Sequence, residues 1–600
     1  MPLIRPLKRR EKIGKVTTVR EFTGGWNVVD NEFNMPPRYA RIMRNVLRQS
    51  DGTIGPRRGC ELFADIANFD VGTIVNMDYF STYLICVTTS GAVVAIDGQG
   101  TAFLIFDEQR ASALPGSPDP WSATTFASFS QFKSKLVICN GIDKPLVVDR
   151  NLNCTYLVDA ATGGNINTPI GRYSAAAVGD LYGYLVIAGN PYLPSTLHIG
   201  NADSLGTFVG DTAPNDAVDF DLGAKVTAGD ATIKGLRFYR DRLLVGFDEV
   251  VIAVQLGTYD QTDHTPLVTD VIESFGCFSH RTMFPLNEDV FMADVRGASF
   301  ITRSKLSTSL TGDRADDLVQ PEIEEATSAL STATLEDRVF AVQNHNDDQW
   351  MLFVPNHDDL EHTTESRGYI LSRVGRESSW SEIRNWNWTC GCHSLQNHIF
   401  FGGGTQVYHY AGTHDDFYGD FVGDQEMFTD NTQFTDHTGF TPVIAGEKLG
   451  VAVPWVWELP WADFDKRMNL KKSLFLSVDA SGISSFNVKM FADDIYADPN
   501  DMGEPFQDGY LFSDDTGFNW YPDPPLVPAL THDFVGGGRG GFGVDEFGQL
   551  FGGGNRGNTP KLYRWPARFK IAKFRFSGDS FLPLRIAAFS ISYQEGSLRR

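Results

Sequence analysis

The first residues in this sequence that could do chemistry are two cysteines and a histidine. Cys390 and Cys392 are separated by one glycine and followed by His393, and all three side chain types bind zinc. A second pair of ligands at the spacing of a zinc site is missing from the sequence. The alternation of side chains along a β-strand explains the same pattern, so we predict no metal site here.

Two acidic stretches are the other candidates. The first carries three histidines and four aspartates: His345, Asp347, Asp348, His357, Asp358, Asp359 and His362. Glycoside cleavage needs only two carboxylates at a suitable separation, so a hydrolase could draw its acid and base from this stretch. The second carries Asp415, Asp416, Asp420 and Asp424, but their spacing differs from that of an EF-hand calcium loop. Loops of folded proteins are commonly acidic, and solvation explains both stretches.

The motifs of well-known enzyme classes are missing from the sequence. It contains no GxSxG nucleophile elbow, no HExxH pair, no P-loop and no DxDxDG calcium loop. A glycine-rich stretch at 536–558 has GxGxxG-like spacing, but no strand–turn–helix unit surrounds it. We therefore predict a protein that is not an enzyme, with no catalytic residues, no metal and no cofactor.

The elements that would have to position any site are strands that recur at an even pitch. Seven apolar segments are centred at Cys86, Cys139, Ile187, Val245, Met292, Leu352 and Phe401. Their average spacing is about 52 residues, which is typical of the blades of a β-propeller. We predict an all-β chain with a β-propeller-like central domain of six or seven blades. Two separate β-sandwiches would also produce evenly spaced strands.

The same patterns divide the chain into four parts. Residues 1–70 are predicted to form an N-terminal arm, a short helix opened by Pro36-Pro37, and a hairpin that turns at Asp51-Gly52. Residues 71–411 form the propeller-like domain, and 412–454 an acidic aromatic loop or arm. Residues 455–600 form a C-terminal β-sandwich that contains the glycine-rich loop 536–558. Tyr39, Met43 and Val46 are spaced to lie on one face of the helix.

The charge is strongly uneven along the chain. The net charge is −24, yet residues 1–20 carry +6 and residues 561–600 carry +7, which leaves −37 on the body between them. Such an acidic body repels phosphate and is not expected to grip nucleic acid over a wide surface. The basic ends could dock on an acidic neighbour, although charged tails are often simply solvated.

The compartment follows from the cysteines and from the apolar segments. The seven cysteines are odd in number and scattered, which indicates synthesis in a reducing cytoplasm. No segment is apolar enough over about 18 residues to span a membrane. The N-terminus has no apolar core after its basic residues, so we predict no secretory signal.

The opening of the chain resembles the tail hub or nozzle proteins (tail tubular protein B-like, packaged-DNA stabilisation) of short-tailed bacteriophages. The segment FTGGWNVVDNEFNMPPRYARIMRNVLRQSDGTIGPRRGCELF carries the likeness, as do KRMNLKKSLFLSVDAS and RFKIAKFRFSGDSFLPLRIAAFSISYQEGSLRR near the end. The positions that match are Gly24, Gly25, Pro37, Asn45, Gly55, Arg58 and Gly59. The acidic segment 412–440 and the loop 536–558 have no counterpart in the pattern.

The resemblance implies a structural component of the virion tail, made in the cytoplasm of the bacterial host. Such a protein forms a homohexameric ring below the portal and the tail adaptor, the head-to-tail connector. The ring extends the DNA channel, helps to retain the genome and conducts it during ejection, without sequence-specific binding to the double-stranded DNA that passes. Tail fibres or spikes attach nearby. We expect Arg5, Lys8, Arg9, Arg10 and Lys12 to dock on a neighbouring subunit or on the adaptor. The alternative is a tail-associated β-propeller that binds or depolymerises polysaccharide.

Overall fold

The chain is known from a computed structural model, which describes most of the sequence between residues 15 and 595. The described ranges are 15–20, 22–32, 34–49, 52–113, 121–158, 168–178, 183–208, 217–226, 229–256, 266–286, 288–303, 310–355, 366–374, 377–386, 388–410, 419–420, 451–462, 464, 471–482, 486–492, 513–514, 517–518, 530–534, 561–564, 568–569, 571–580 and 584–595. The N-terminal arm up to residue 14 and the glycine-rich loop 536–558 lie outside these ranges. So does the acidic segment 412–440, apart from two residues.

Seven short strands open the chain. They are β1 (Lys15–Val19), β2 (Gly25–Trp26), β3 (Tyr39–Ala40), β4 (Ile42–Arg44), β5 (Val46–Arg48), β6 (Ile54–Pro56) and β7 (Cys60–Asp65). The predicted hairpin is present, because β5 pairs with β6 in antiparallel register. The predicted helix is wrong, since Tyr39, Met43 and Val46 lie in three strands. Asn45 interrupts the segment with a left-handed φ of 53°, and pairing with distant strands replaces the local hydrogen bonds of a helix.

The described strands of the first three blades follow in chain order. They are β8 (Ile74–Phe80), β9 (Tyr83–Thr88), β10 (Val93–Ile96) and β11 (Ala102–Phe106); β12 (Ser128–Phe132), β13 (Lys135–Cys139), β14 (Leu146–Asp149) and β15 (Cys154–Tyr156); and β16 (Tyr173–Val178), β17 (Gly183–Ala188), β18 (Thr196–Ile199) and β19 (Val218–Asp221). Helix α1 (Glu108–Ala113) lies between the first two blades, and short 3-10 turns occupy Ala67–Phe69 and Gly223–Lys225. Each blade is an antiparallel meander of four strands.

The next four blades have the same form. Their strands are β20 (Gly235–Tyr239), β21 (Arg242–Gly246), β22 (Val250–Gln255) and β23 (Leu267–Glu273); β24 (Phe284–Leu286), β25 (Asp289–Asp294), β26 (Gly297–Arg303) and β27 (Leu310–Arg314); β28 (Phe340–Asn344), β29 (Gln349–Val354), β30 (Ser366–Val374) and β31 (Glu377–Trp386); and β32 (Cys390–His393), β33 (Ile399–Gly403) and β34 (Gln406–Tyr410). A 3-10 turn, His280–Thr282, precedes β24, and helices α2 (Gln320–Ser328) and α3 (Thr332–Arg338) precede β28.

The seventh blade closes the ring with a strand from the other end of the domain. The outer partner of β34 is β7, so the last blade combines Cys60–Asp65 with Cys390–Tyr410. The innermost strand β32 in turn contacts β8 of the first blade. The propeller therefore has seven blades, and its first strand is β7 rather than a strand after residue 71. Closure across more than 340 residues fixes the circular shape.

The predicted pitch of the apolar segments is confirmed. Each segment is the second strand of a blade: β9, β13, β17, β21, β25, β29 and β33. These strands are buried almost throughout, because each blade packs against a neighbour on both faces. Burial on both faces removes the need for polar residues at alternate positions, which explains the nearly continuous apolar runs.

The C-terminal region forms the predicted β-sandwich. Its strands are β35 (Gly419–Asp420), β36 (Val451–Glu458), β37 (Lys471–Gly482), β38 (Phe486–Ala492), β39 (Ser513–Asp514), β40 (Gly517–Phe518), β41 (Leu530–Phe534), β42 (Lys561–Arg564), β43 (Arg568–Phe569), β44 (Ala572–Ser580) and β45 (Leu584–Glu595). One sheet has the order β42-β37-β45-β6-β5, with β1 paired to β45. The other contains β36, β44, β38 and β41. Phe574 and Phe576 of the second sheet pack on Phe589 of the first, at 5.3 and 5.7 Å between ring centroids.

The propeller and the sandwich share one continuous sheet. Blade six runs from β31 through β4 into β36, β44, β38 and β41, which makes ten strands in all with β35. The sandwich is consequently built from both ends of the chain, with β1, β5 and β6 in one sheet and β4 in the other. The longest described helix, α2, has nine residues, so none in the described ranges is long and apolar enough to cross a membrane.

Candidate functional site

Several of the residues that carry the resemblance, among them Gly25, Asn45 and Gly55, lie where the N-terminal strands pass between blade six and the sandwich, a region that we call the junction. The amide of Gly24 donates to the carbonyl of Arg38 at 3.0 Å. Gly25 has a φ of 70°, and a Cβ there would lie 2.7 Å from the backbone nitrogen of Trp380 in blade six. A larger residue would both clash with that backbone and strain its own, so glycine is required at this position.

Asn45 is the centre of the junction. It is fully buried, and its backbone amide donates to the carbonyl of Glu382 in blade six at 2.7 Å. Its side-chain Nδ2 donates to the carbonyl of Pro454 in the sandwich, also at 2.7 Å. Its Oδ1 accepts from the amide of Arg384 at 3.0 Å and from Nε of Arg57 at 3.3 Å. One side chain thus connects the propeller, the sandwich and the hairpin.

The other motif positions lie around the hairpin. Gly55 packs against β45, where a Cβ would lie 2.3 Å from the carbonyl oxygen of Leu584. Gly59 is buried, whereas Arg58 is half-buried and lines a small pocket of about 250 Å³ on the propeller side. Pro37 lies in an exposed turn, away from Asn45. The fully buried arginine that bonds Asn45 is Arg57, which the sequence analysis did not single out.

Two buried glutamates hold the solvent side of the junction together. Glu458 accepts from Lys573 at 2.7 Å and from Arg575 at 2.5 Å, one cation on each carboxylate oxygen. Glu382 binds Arg44 at 3.0 Å and Arg384 at 2.5 Å in the same way. Both glutamate side chains are less than 5% exposed, and among their cationic partners Lys573 is buried as well, at 7% exposed. Removing Glu458 would take the nearest carboxylate from that buried ammonium. Sequence spacing gave no signal for the pairs of Glu458 or for Glu382 with Arg44, because those partners are more than 100 residues apart in the chain.

This network borders a cleft of about 1140 Å³. Trp461 and Phe491 lie on its wall, and the ammonium of Lys573 stands 5.3 and 5.8 Å from their ring centroids. Lys573 and Arg575 belong to the basic C-terminal end of the sequence. They are paired within their own chain, so these two charges are not available for an acidic neighbour.

The basic N-terminal arm begins from the edge of the sandwich. The candidate docking residues Arg5, Lys8, Arg9, Arg10 and Lys12 lie outside the described residues. The described chain starts with β1, which pairs with β45 from Lys15 opposite Tyr593 to Val19 opposite Phe589. Lys15 also forms an ion pair with Glu595 at 2.5 Å. The point at which the arm leaves the folded body is therefore fixed.

Helix α3 covers one end of the propeller channel. Its Asp337 accepts from the hydroxyl of Thr125 at 2.7 Å and pairs with Arg172, while Glu336 pairs with Arg172 at 3.3 Å and Lys234 at 3.4 Å. These partners stand just before or at the first strands of blades two, three and four. Arg281, before blade five, donates to the carbonyl of Asp337 at 2.6 Å. The helix is thus held across the face where the first strands begin.

The other half of the channel is open and polar. It is a cavity of about 370 Å³ whose wall includes Asp78, Arg237 and His280. Burial raises the pKa of Asp78 to about 6 and lowers the pKa of His280 to about 3, with the charge of Arg237 adding to the effect on the histidine. The Nδ1 atom of His280 accepts the amide of Leu236 at 3.2 Å, which suits a neutral ring.

His280 makes a specific pH dependence testable. The pKa of His280 is lower in the folded protein than in the unfolded chain, where it is near 6.5. As the pH falls below 6.5, only the unfolded chain takes up the proton, so the free energy of unfolding decreases. We expect His280→Asn, which keeps an acceptor for Leu236, to flatten the pH dependence of the unfolding free energy by roughly 1 kcal/mol per pH unit between pH 6 and 4. The raised pKa of Asp78 changes the unfolding free energy in the opposite direction as the pH falls. Denaturant titration should therefore measure the difference in unfolding free energy between the variant and the wild type at each pH. Equal slopes in the two proteins would contradict this.

The sequence candidates for chemistry do not assemble into a site. All seven cysteines are buried free thiols, and burial raises the pKa of Cys390 to about 11. Cys390 and Cys392 alternate with Gly391 along β32, as a strand requires. Within the described ranges, no three histidine, cysteine or carboxylate side chains are arranged to hold a metal ion. Asp347 accepts from the side chain of Asn344 at 2.9 Å, while His357, Asp358, Asp359 and His362 lie outside those ranges. The same holds for Asp415, Asp416 and Asp424.

Comparisons with known proteins bear on the fold. Neither a scan against protein-family models nor a search of curated proteins gives a match to this chain. Among solved structures, a chain of the mitotic checkpoint complex is similar at 10% identity with a TM-score of 0.33, over 64% of this chain and 97% of that chain. YCF48 bound to D1 peptide is similar at 12% identity with a TM-score of 0.31, over 57% and 92%. BamB from Moraxella catarrhalis is similar at 12% identity with a TM-score of 0.29, over 67% and 99%. This chain is an all-β protein with a β-propeller.

Proposed function

We propose that this chain is a structural subunit of the tail nozzle of a short-tailed bacteriophage. It would form a homohexameric ring below the portal and the adaptor, help to retain the packaged genome and conduct it on ejection. The observation that carries the proposal is the convergence of Gly25, Gly55 and Asn45 on one junction, where close backbone contacts require the two glycines and four hydrogen bonds hold the asparagine. The residues of the resemblance therefore behave as a structural set.

A ring is needed because the propeller itself offers no duct. Helix α3 covers one end of its channel, and the open half has a volume of only about 370 Å³. Double-stranded DNA would therefore pass between subunits arranged around a common axis. The −37 charge on the body of the chain supports such a path, because carboxylates on the wall of a duct repel phosphate and do not hold the DNA.

The contacts of such a ring would involve the basic N-terminal arm. Ring interfaces join unlike surfaces of successive copies, so a cationic arm on an acidic body has a ready partner in the next subunit or in the adaptor. Pairing of β1 with β45 fixes where the arm leaves the sandwich. Fibres or spikes would bind elsewhere on the assembled ring, and the protein would be a component of the virion.

The polysaccharide alternative has one observation in its favour, the cleft beside the junction. Aromatic rings and carboxylates do line it, and burial together with nearby Glu382 raises the pKa of Glu322. Glu382 and Glu458, however, hold a cation on each carboxylate oxygen and are not free to transfer protons. We expect the purified protein to leave host polysaccharide at its original length in size-exclusion chromatography. If the wild-type protein shortens the polysaccharide and the Glu322→Gln variant does not, the nozzle proposal is wrong and the polysaccharide alternative is favoured.

The decisive experiment measures mass and shape. Sedimentation of the purified chain, alone or with its adaptor, should give a species of about six times the monomer mass of 66.4 kDa, and images should show a ring. A monomer under both conditions would exclude the nozzle.

The arm gives a finer prediction. Replacing Lys8, Arg9 and Arg10 with glutamine should abolish or strongly reduce assembly into tails, because three charge-assisted contacts are lost from every interface. The matched control replaces three exposed cations of the propeller, Lys135, Arg150 and Lys225, and should assemble normally. Normal assembly of the arm variant, scored by counting tailed particles in images, would show that the arm does not dock.

A further inference from the structure

The open half of the propeller channel is lined by polar side chains that the fold leaves unused. Its volume of about 370 Å³ falls within the range of small-molecule sites. Four blades contribute to its wall through Asp78, Gln131, Arg237 and His393. The cavity is closed on the side of α3 and opens on the opposite face of the propeller, where Leu395 is 81% exposed at the rim.

Arg237 is the principal unused group. Its guanidinium lies over the ring of Phe284, 5.0 Å from the centroid, and forms part of the cavity wall. It makes no hydrogen bond or ion pair with any residue that the structure describes. A guanidinium has five N–H donors in a planar fork that matches a carboxylate, and Arg237 is half-buried on the cavity wall with these donors unused by the described residues. The cavity therefore holds a charged donor set aimed at an absent acceptor.

Asp78 supplies the complementary group on blade one. Its Oδ1 accepts the amide of Tyr79 at 2.8 Å, which orients the carboxylate, and Oδ2 has no donor among the described residues. The charges of Asp78 and Arg237 attract each other across the cavity without an ion pair at contact distance, so a ligand can lie between the two side chains. Burial raises the pKa of Asp78 to about 6, which leaves it charged at neutral pH.

The remaining wall selects for a negative ligand. Arg281 donates to two backbone carbonyls, those of Asp337 at 2.6 Å and Thr389 at 2.5 Å, and no carboxylate neutralises it at hydrogen-bond distance in the described chain. The wall thus carries two arginines and one aspartate. The net positive charge of the wall favours a ligand that carries a carboxylate. Asp78 favours a ligand that also carries a hydrogen-bond donor near that carboxylate.

We propose that the channel binds an α-carboxylate with an N–H donor on the adjacent carbon, the carboxylate on Arg237 and the donor on Asp78. Two sources carry this chemistry, a free α-amino acid and the carboxy-terminal residue of a polypeptide. The site shares no lining residue with the cleft beside the junction, so it goes beyond the nozzle function and does not depend on it. The apolar rim at Leu395 favours a ligand with an aliphatic side chain.

Calorimetric titration of the full chain tests the proposal with three probes: leucine, the peptide Ala-Ala-Leu with a free carboxylate, and the same peptide amidated. We expect the amidated peptide not to bind. Binding of leucine identifies a free amino acid as the ligand, and binding of the free-acid peptide alone identifies a polypeptide terminus. Failure of both acids, or equal binding of the amide, overturns the proposal.

Variants locate the site. Arg237→Met should weaken binding roughly 10- to 100-fold, as expected for loss of a charge-assisted pair. The matched control, Arg240→Met in the next turn of the same hairpin, lies over Tyr239 outside the cavity and should bind as wild type. Asp78→Asn keeps the acceptor for the amide of Tyr79. It should weaken the binding of leucine, which carries an ammonium, more than the binding of the peptide, which carries an amide at the same place. Thermal melts verify folding, and unchanged binding in Arg237→Met overturns the proposal.

Discussion

Replacing Asn45 with alanine is expected to lower the free energy of unfolding by about 3–9 kcal/mol, because three hydrogen-bonding groups lose their buried partner at about 1–3 kcal/mol each. These groups are the carbonyl of Pro454, the amide of Arg384 and Nε of Arg57. Alanine at a φ of 53° adds a further strain of roughly 1 kcal/mol. The effect is large because the lost contacts hold the propeller to the sandwich.

Denaturant titration measures the loss, and differential calorimetry shows its form. We expect the variant to unfold in one transition at a lower temperature, because the hydrogen bonds of Asn45 are lost while the shared sheet still joins the propeller to the sandwich. The matched control is Asn397→Ala, which also changes an asparagine of positive φ, 61°, but in a surface turn of blade seven. It should cost only about 1 kcal/mol, the strain alone. An Asn45 variant as stable as this control would show that the junction contributes little.

The propeller was predictable because its signal is repeated seven times. The second strand of every blade is buried on both faces, so segments such as those around Cys86 and Cys139 are apolar without interruption and stand out at an even pitch. Repetition averages out local irregularity, for example the hairpins whose turns use Ser81, Lys133 and Arg240 at positive φ. The sandwich was predictable for a similar reason, since β44 and β45 are long enough to alternate visibly.

The junction was not predictable in the same way. Its strands β2 to β6 have two or three residues each, too few to show a period. The partners of β4 in blade six and in the sandwich lie more than 300 residues away in the chain. The spacing of Tyr39, Met43 and Val46 matched a helix because three short strands bring the same residues to the core. The choice between Arg57 and Arg58 also depended on tertiary contacts, since adjacent arginines are indistinguishable by type.

The ion pairs on α3 are the second place where one substitution should have a large effect. Glu336→Ala removes the carboxylate that faces Arg172, Lys234 and the hydroxyl of Tyr173. The side chain of Lys234 is only 9% exposed, so its charge would stay buried without compensation. We expect the unfolding free energy to fall by about 3 kcal/mol or more, the usual cost of removing one partner of a buried pair.

The comparison with Glu325→Ala separates this effect from a general loss of charge. Glu325 is an exposed glutamate on the neighbouring helix α2, and its removal should change stability by less than 1 kcal/mol. Hydrogen exchange should then rise at the starts of β16 and β20 in the Glu336 variant alone, since those strands lose their contact with α3. Equal stability of the two variants would mean that α3 lies over the channel but does not stabilise the blades around it. In the expected case, the helix that covers the channel also holds the blades around it.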